Sequence, residues 1–274
     1  MKTFRRRRAA AIALAAAALL GACGGEDTPA GGGSASPATE TVTDAGDLTV
    51  EFATPKAAAY GDYPELLRDF VNESVSAVNE LLALPEDIPM VFAEIGEENA
   101  YYDPEQRTIT FGYELVAAYV ELAPAVRETE DEQDQFIYAN VENTMLHELG
   151  HALIDILELP VLGKEEDAAD GLATLIQIEA FEEGTAYAID VADGWAAVAE
   201  SPGSLDESAF ADEHSLNAQR FYATACWVAG SSDDAMEQVE AAEVLPPERL
   251  ERCPEEYELL AESWSAVLDP YLKS

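Results

Sequence analysis

The sequence predicts an α+β domain that is mostly helical, with a small sheet confined to its N-terminal half. Short alternating apolar runs bounded by turn formers fall between positions 48 and 111. Beyond 113, apolar residues recur at three- and four-residue spacing, and no internal repeat divides the chain.

Leu48 to Phe52 alternates as a first strand, and Tyr63 to Leu84 then sets Leu66, Leu67, Phe70, Val71, Val75, Val78, Leu81 and Leu82 at helical spacing. Pro64 suits the first turn of that helix, where a missing N–H costs nothing. Ile88 to Glu94 reads as a second strand. Asn99 to Phe111 reads as a hairpin turning at Asp103-Pro104-Glu105-Gln106, with Thr108 to Phe111 as its return strand. Tyr113 to Leu122 is expected to be helical. Asp134 to Leu157 puts Ile137, Val141, Met145, Leu149, Leu153 and Ile156 on one stripe and stops before Pro160. Glu165 opens another helix through Ala168, Leu172, Leu175 and Ile176, and further helices are expected over Ala186 to Val198, Ala218 to Val228 and Glu255 to Leu268.

This domain is expected to occupy residues 47–274. Ahead of it, Lys2 and Arg5 to Arg8 precede the unbroken apolar run Ala9 to Leu20, the layout of a signal peptide over residues 1–22. The run is shorter than the roughly 20 residues that a membrane-crossing helix needs. It ends in Leu20-Gly21-Ala22-Cys23, which resembles the bacterial lipobox, whose cysteine is acylated and becomes the first residue of the mature chain. Gly24 to Gly46 holds Gly, Ser, Thr, Ala, Pro and acidic residues with almost nothing to bury, so residues 23–46 read as a flexible tether. The expectation is an exported protein held to the membrane of the cell envelope through an N-terminal lipid anchor.

Net charge is −41, and the five cations of the signal segment (Lys2, Arg5 to Arg8) are lost on export while every acid is kept, so the mature chain is more acidic still. Such a chain is not expected to bind nucleic acid. Solubility, a salty habitat or a cationic substrate would each account for the acidity. With Cys23 lipidated, Cys226 and Cys253 remain as a pair in an oxidising compartment, and a disulfide is the expectation, with free thiols or metal ligation as the alternatives.

His147-Glu148-Leu149-Gly150-His151 forms an H-E-x-x-H in the middle of the long helix, and it takes two of the three histidines in the chain. Residues four apart stand one above the other on a helix, so both imidazoles can reach one Zn2+ ion with Glu148 beside it. Zinc lowers the pKa of water toward about 7, and an adjacent carboxylate can accept the proton. A surface helix with two incidental histidines is the plainer alternative, but apolar turns flank the motif, and an unpaired imidazole is costly to bury there. Gly150, unfavourable inside a helix, suggests that another element approaches closely.

A catalytic zinc needs a third protein ligand and one open position. A metzincin would require Gly at 154 and His at 157, where this chain has Ile154 and Leu157. Glu165-Glu166-Asp167-Ala168-Ala169-Asp170 offers the other solution. Glu166 and Asp170 share a helix face, so Glu166 can ligate while Asp170 accepts the Nδ1 proton of His147 and fixes its tautomer, the E-x-x-x-D of gluzincins. Glu165 reads as an ordinary acid of the first turn, favoured by the helix dipole. Glu165 or Asp167 would serve as ligand if the register differs.

The chain resembles an uncharacterised family of exported bacterial metallopeptidase-like proteins. The resemblance rests on Asn99-Ala100-Tyr101-Tyr102-Asp103-Pro104, the H-E-x-x-H, Gly163 to Asp170, Asp212-Glu213-His214-Ser215, Gln219-Arg220-Phe221-Tyr222, Cys226 and Arg252-Cys253-Pro254, across most of Asp47 to Leu268. It implies a zincin-like fold and peptidase chemistry on a peptide or protein substrate. In gluzincins a downstream histidine often donates to the oxyanion, a part for His214 or Arg220 here unless His214 merely caps a helix. The strand Thr108 to Phe111 is a candidate edge for pairing with an extended peptide, or a plain edge. The favoured mechanism is zinc-assisted hydrolysis with Glu148 as base. The rival is a non-catalytic envelope lipoprotein that uses a peptidase-like scaffold for binding, and no G-x-S-x-G or free catalytic cysteine supports a covalent route.

Overall fold

The computed structural model describes residues 43–201 and 205–273, so the signal peptide, Cys23 and nearly all of the tether lie outside the described residues. Four strands, β1 (Leu48–Phe52), β2 (Ile88–Ala93), β3 (Ala100–Asp103) and β4 (Thr108–Gly112), form one sheet in the order β1-β2-β4-β3. β1 and β2 run parallel, with Leu48 opposite Ile88, and α1 (Tyr63–Leu81) is the crossover that lets them do so. β2 and β4 are also parallel, and β3 returns antiparallel to β4 through the expected hairpin. This order overturns the reading of Thr108 to Phe111 as an edge. β4 is paired on both sides, and among the described residues β1 and β3 are the edges.

Alternation decides which face of the sheet is buried. Ile88, Met90 and Phe92 of β2 and Ile109 and Phe111 of β4 are fully enclosed, and Phe92 stacks on Phe111 with ring centroids 4.7 Å apart. They share one core with Leu67, Val71 and Val78 of α1 and with Leu149 and Leu153. Burying each such side chain is worth about 1.5–3 kcal/mol.

Those two leucines belong to α3 (Glu130–Ile156), which starts four residues earlier than its apolar stripe suggests. The reason is a capping box: Thr129 Oγ1 accepts from the Glu132 N–H and the Glu132 carboxylate accepts from the Thr129 N–H. Nor does α3 bury a single stripe. From Phe136 to Ile154 nearly every position is enclosed, because α3 packs against α2 (Tyr113–Val126), α4 (Glu165–Ala180), α5 (Gly184–Ala199) and the β3–β4 hairpin. A carbon added at Gly150 would lie 3.2 Å from Ala169 of α4, so the close approach expected there is that of α4. α3 closes with Glu158 at φ 51°, while the Leu159 N–H reaches back to the Ile154 carbonyl, and this turn sends the chain into α4.

The remaining helices are α6 (Glu207–Ala211), α7 (Asn217–Ser231), α8 (Asp233–Ala241), α9 (Pro247–Leu250) and α10 (Cys253–Leu268). A smaller core joins α5, α7 and α8, and within it Cys226 and Cys253 are bonded, tying α7 to the start of α10. α1 is shorter than its apolar spacing suggests, because Leu82 and Leu84 leave the helix to bridge Leu272 and Gly46. Asp44 to Gly46, at the end of the stretch read as tether, are already docked: Ala45 donates to the Leu84 carbonyl, and Asp44 pairs with Lys273. Among the described residues no helix is long and apolar enough to cross a membrane.

Candidate metal centre

α3 and α4 meet where Gly150 faces Ala169, and that approach sets the H-E-x-x-H against the first turns of α4. His147 Nε2 and His151 Nε2 stand 3.2 Å apart, and Glu166 Oε2 lies 3.1 Å from the first and 3.4 Å from the second. Ligands about 2.0–2.1 Å from a tetrahedral ion are separated by about 3.3 Å. Two imidazole nitrogens and one carboxylate oxygen therefore fit a single ion, with the fourth direction open to a cavity of about 770 Å³.

The ring nitrogens pointing away are held as well. His147 Nδ1 lies 2.8 Å from Asp170 Oδ1, one turn after Glu166. Asp170 is also gripped by both sides of the Arg220 guanidinium, Nε at 2.7 Å from Oδ2 and Nη2 on Oδ1, and that guanidinium lies 3.5 Å over the Trp195 ring. Arg220 is thus occupied with a carboxylate rather than poised for an oxyanion. His151 Nδ1 lies 2.8 Å from Glu165 Oε1, so Glu165 does more than favour the helix dipole. Asp167 takes no part in the cluster.

Charge in the cluster follows from this geometry. Burial works against a positive His147, but Asp170 and Glu166 outweigh it and hold its pKa up. For His151, burial is again opposed by Glu166 and Glu165, which raise it to about 9. Glu166 resists burial because three imidazoles surround it, and its carboxyl falls far below the ordinary range. Asp170, buried yet paired with His147 and Arg220, is pushed down to about 2. Carboxylates that draw protons onto these imidazoles would also favour a cation in the same space, whose binding would displace the protons.

Glu148 points the other way from the same helical turn. Burial raises its pKa, the two histidines oppose that rise, and the backbone N–H of Tyr102 hydrogen-bonds its carboxylate. Tyr102 also donates its hydroxyl to Asp155 Oδ2 at 2.8 Å, so the edge strand β3 is fastened to α3 beside Glu148.

His214 comes from the segment between α6 and α7. Its Nδ1 lies 2.9 Å from Asp212 Oδ1, Lys164 Nζ donates to its carbonyl at 2.9 Å, and its Nε2 is 3.0 Å from Glu166 Oε2. It groups with Glu166 and Glu213 rather than with His147 and His151.

Tyr102, Trp195 and Asp212 also belong to the site, without a role expected from the sequence. Tyr102 and Asp212 lie within the stretches that carry the family resemblance, while nothing in the local pattern singles out Trp195. The cleft is further lined by Asn143, Thr144 and Tyr119, whose hydroxyl lies 2.7 Å from that of Thr144.

A family described as "Putative metallopeptidase" (DUF4344) matches residues 56–268. No curated protein and no solved structure gives a match.

Proposed function

Since the chain belongs to this metallopeptidase-described family, which points to a metal-dependent hydrolase acting on peptides or proteins, we propose that it is a zinc peptidase of the gluzincin type. The observation that carries the reading is the spacing of His147 Nε2, His151 Nε2 and Glu166 Oε2, all within 3.1–3.4 Å of one another. Imidazole and carboxylate donors at that spacing, with one side open, suit Zn2+.

When bound, the ion supplies Lewis acidity, polarising a peptide carbonyl and making water easier to deprotonate. Glu148 takes the proton from the attacking water and later hands it to the leaving amine, a role that suits a buried carboxylate whose pKa is raised toward the working range. Asp170 accepts the Nδ1 proton of His147, which leaves the Nε2 lone pair free to face the space it shares with His151 and Glu166, and Arg220 keeps Asp170 ionised. His214, steadied by Asp212, turns its Nε2–H from Glu166 to the oxygen that gains charge once the Glu166 carboxylate is engaged by the ion. The substrate backbone lies along β3, whose outer edge pairs with no strand among the described residues and whose Asn99 to Tyr102 neighbourhood lines the cleft. Retention of a base beside the ligand pair favours catalysis over the scaffold reading, because a structural site has no use for Glu148. We further place the protein outside the cytoplasmic membrane, released by cleavage before Cys23 and held there by lipid on that cysteine.

Metal content and hydrolysis of an unbiased peptide library, measured on the same full-length preparations, test the reading. Wild type should carry about one tightly held zinc and cut peptides, and His147→Ala should lose both. Tight zinc retained by His147→Ala would sink the site, and zinc without hydrolysis in wild type would favour the scaffold.

A further inference from the structure

Glu166 belongs to two groups of side chains at once. Besides the pair on α3, it forms with His214 and Glu213 a second set whose donor atoms also lie close enough for one ion. His214 Nε2 stands 3.0 Å from Glu166 Oε2, near the separation of about 3.3 Å expected between two ligands of one tetrahedral ion. Asp212 takes the opposite ring nitrogen, so Nε2 is the nitrogen turned into the cleft. The Glu213 carboxylate has no hydrogen-bond or ion-pair partner among the described residues, and it lines the same cavity. His214 does not join His147 and His151 as a fourth ligand of the first ion, since its grouping excludes them.

From this arrangement we infer a second, weaker zinc site formed by His214 Nε2, Glu213 and the shared carboxylate of Glu166, which closes the cleft when filled. The inference rests on the reading of Glu166 as a ligand of the first ion. A carboxylate can bridge two ions about 3.5–4 Å apart, and the second carboxylate offsets part of the repulsion between them. The second site is weaker because it is more open: the His214 side chain is 40% exposed against 7% for His147. Filling it engages the His214 nitrogen assigned to the oxyanion and places a cation in the path of the substrate. Excess zinc should therefore inhibit this protein.

Zinc bound by the full-length chain is counted by elemental analysis across a series of buffered free Zn2+ concentrations, with peptide hydrolysis followed in parallel. Wild type should show a tight ion and then a weaker one, with the rate falling as the weaker one binds. Glu213→Gln should weaken only the second ion, by roughly 10- to 100-fold, and shift the inhibition to correspondingly higher zinc. His214→Ala, read by zinc count alone, should lose the second ion and keep the first. One ion at every concentration, with hydrolysis intact, overturns the second site and leaves the peptidase reading standing. A second ion insensitive to both substitutions sits elsewhere on this acidic surface and also overturns it. No tight ion in wild type fails the reading of the first site itself.

Discussion

On one wall of the cleft His147, Glu148 and Asp170 stand on α3 and α4, all nearly enclosed; on the other, Asp212 to His214 hang from a segment between two helices, with His214 substantially exposed. The enclosed wall is fixed by packing on every side of α3 and by a chain of contacts running from His147 through Asp170 and Arg220 to Trp195. The open wall is fixed by little more than Asp212, the Lys164 amine and Glu166. Groups that must hold an ion against competing water need the first kind of support. A group that meets substrates of different shape can use the second.

The largest effect expected separates chemistry from holding within the enclosed wall. Glu148→Gln should keep fold and metal and lose about 10²–10⁴-fold in turnover, because an amide cannot accept a proton. Rates near wild type, with metal content verified on the same sample, would falsify the assignment of the base.

Deeper in that wall, Glu142 of α3 is fully buried between Ser74 Oγ at 2.7 Å and the Gln177 amide at 3.3 Å. Burial lifts its pKa from 4.5 to about 7, against the pull of these two hydrogen bonds. A carboxyl raised on folding binds its proton more tightly in the native state, so stability is highest below 4.5, falls as pH climbs, and levels off above about 7. The difference is at most on the order of 3 kcal/mol. Thermal melts of wild type and Glu142→Gln between pH 5 and 8 should converge at the acid end, with the variant ahead at the alkaline end. Parallel curves would assign the pH dependence to other groups.

A smaller change contrasts the two walls directly. Asp170→Asn should weaken the tight zinc by roughly 10- to 100-fold, since the amide no longer fixes the His147 tautomer as a carboxylate does. His214→Ala should leave that affinity where it was and lower turnover instead. If both substitutions cost the tight ion equally, the two walls do not divide the work, and His214 belongs to the first ion.

The strands and main helices, the H-E-x-x-H, and the placing of Glu166 and Asp170 on one helix face were legible in the sequence, because each depends on spacing within a single element, where backbone geometry alone puts residues four apart on the same side. The capping box at Thr129 is also local, but it lies ahead of the apolar stripe by which the helix is recognised. Other features answer to partners remote in sequence. Whether β3 or β4 is the edge depends on β2 claiming one side of β4, and a strand that alternates its apolar residues reads the same in either place. Arg220 went to Asp170 rather than to an oxyanion because α7 packs against both α4 and α5, whose Trp195 lies beneath the guanidinium, and Tyr102 reached Glu148 because the hairpin folds back onto α3. The sequence alone determined that the proposed histidine ligands and the proposed base share one helical turn, because that depends only on spacing within one helix. Only the tertiary structure decided what orients them, since those partners approach across distances that no local periodicity encodes.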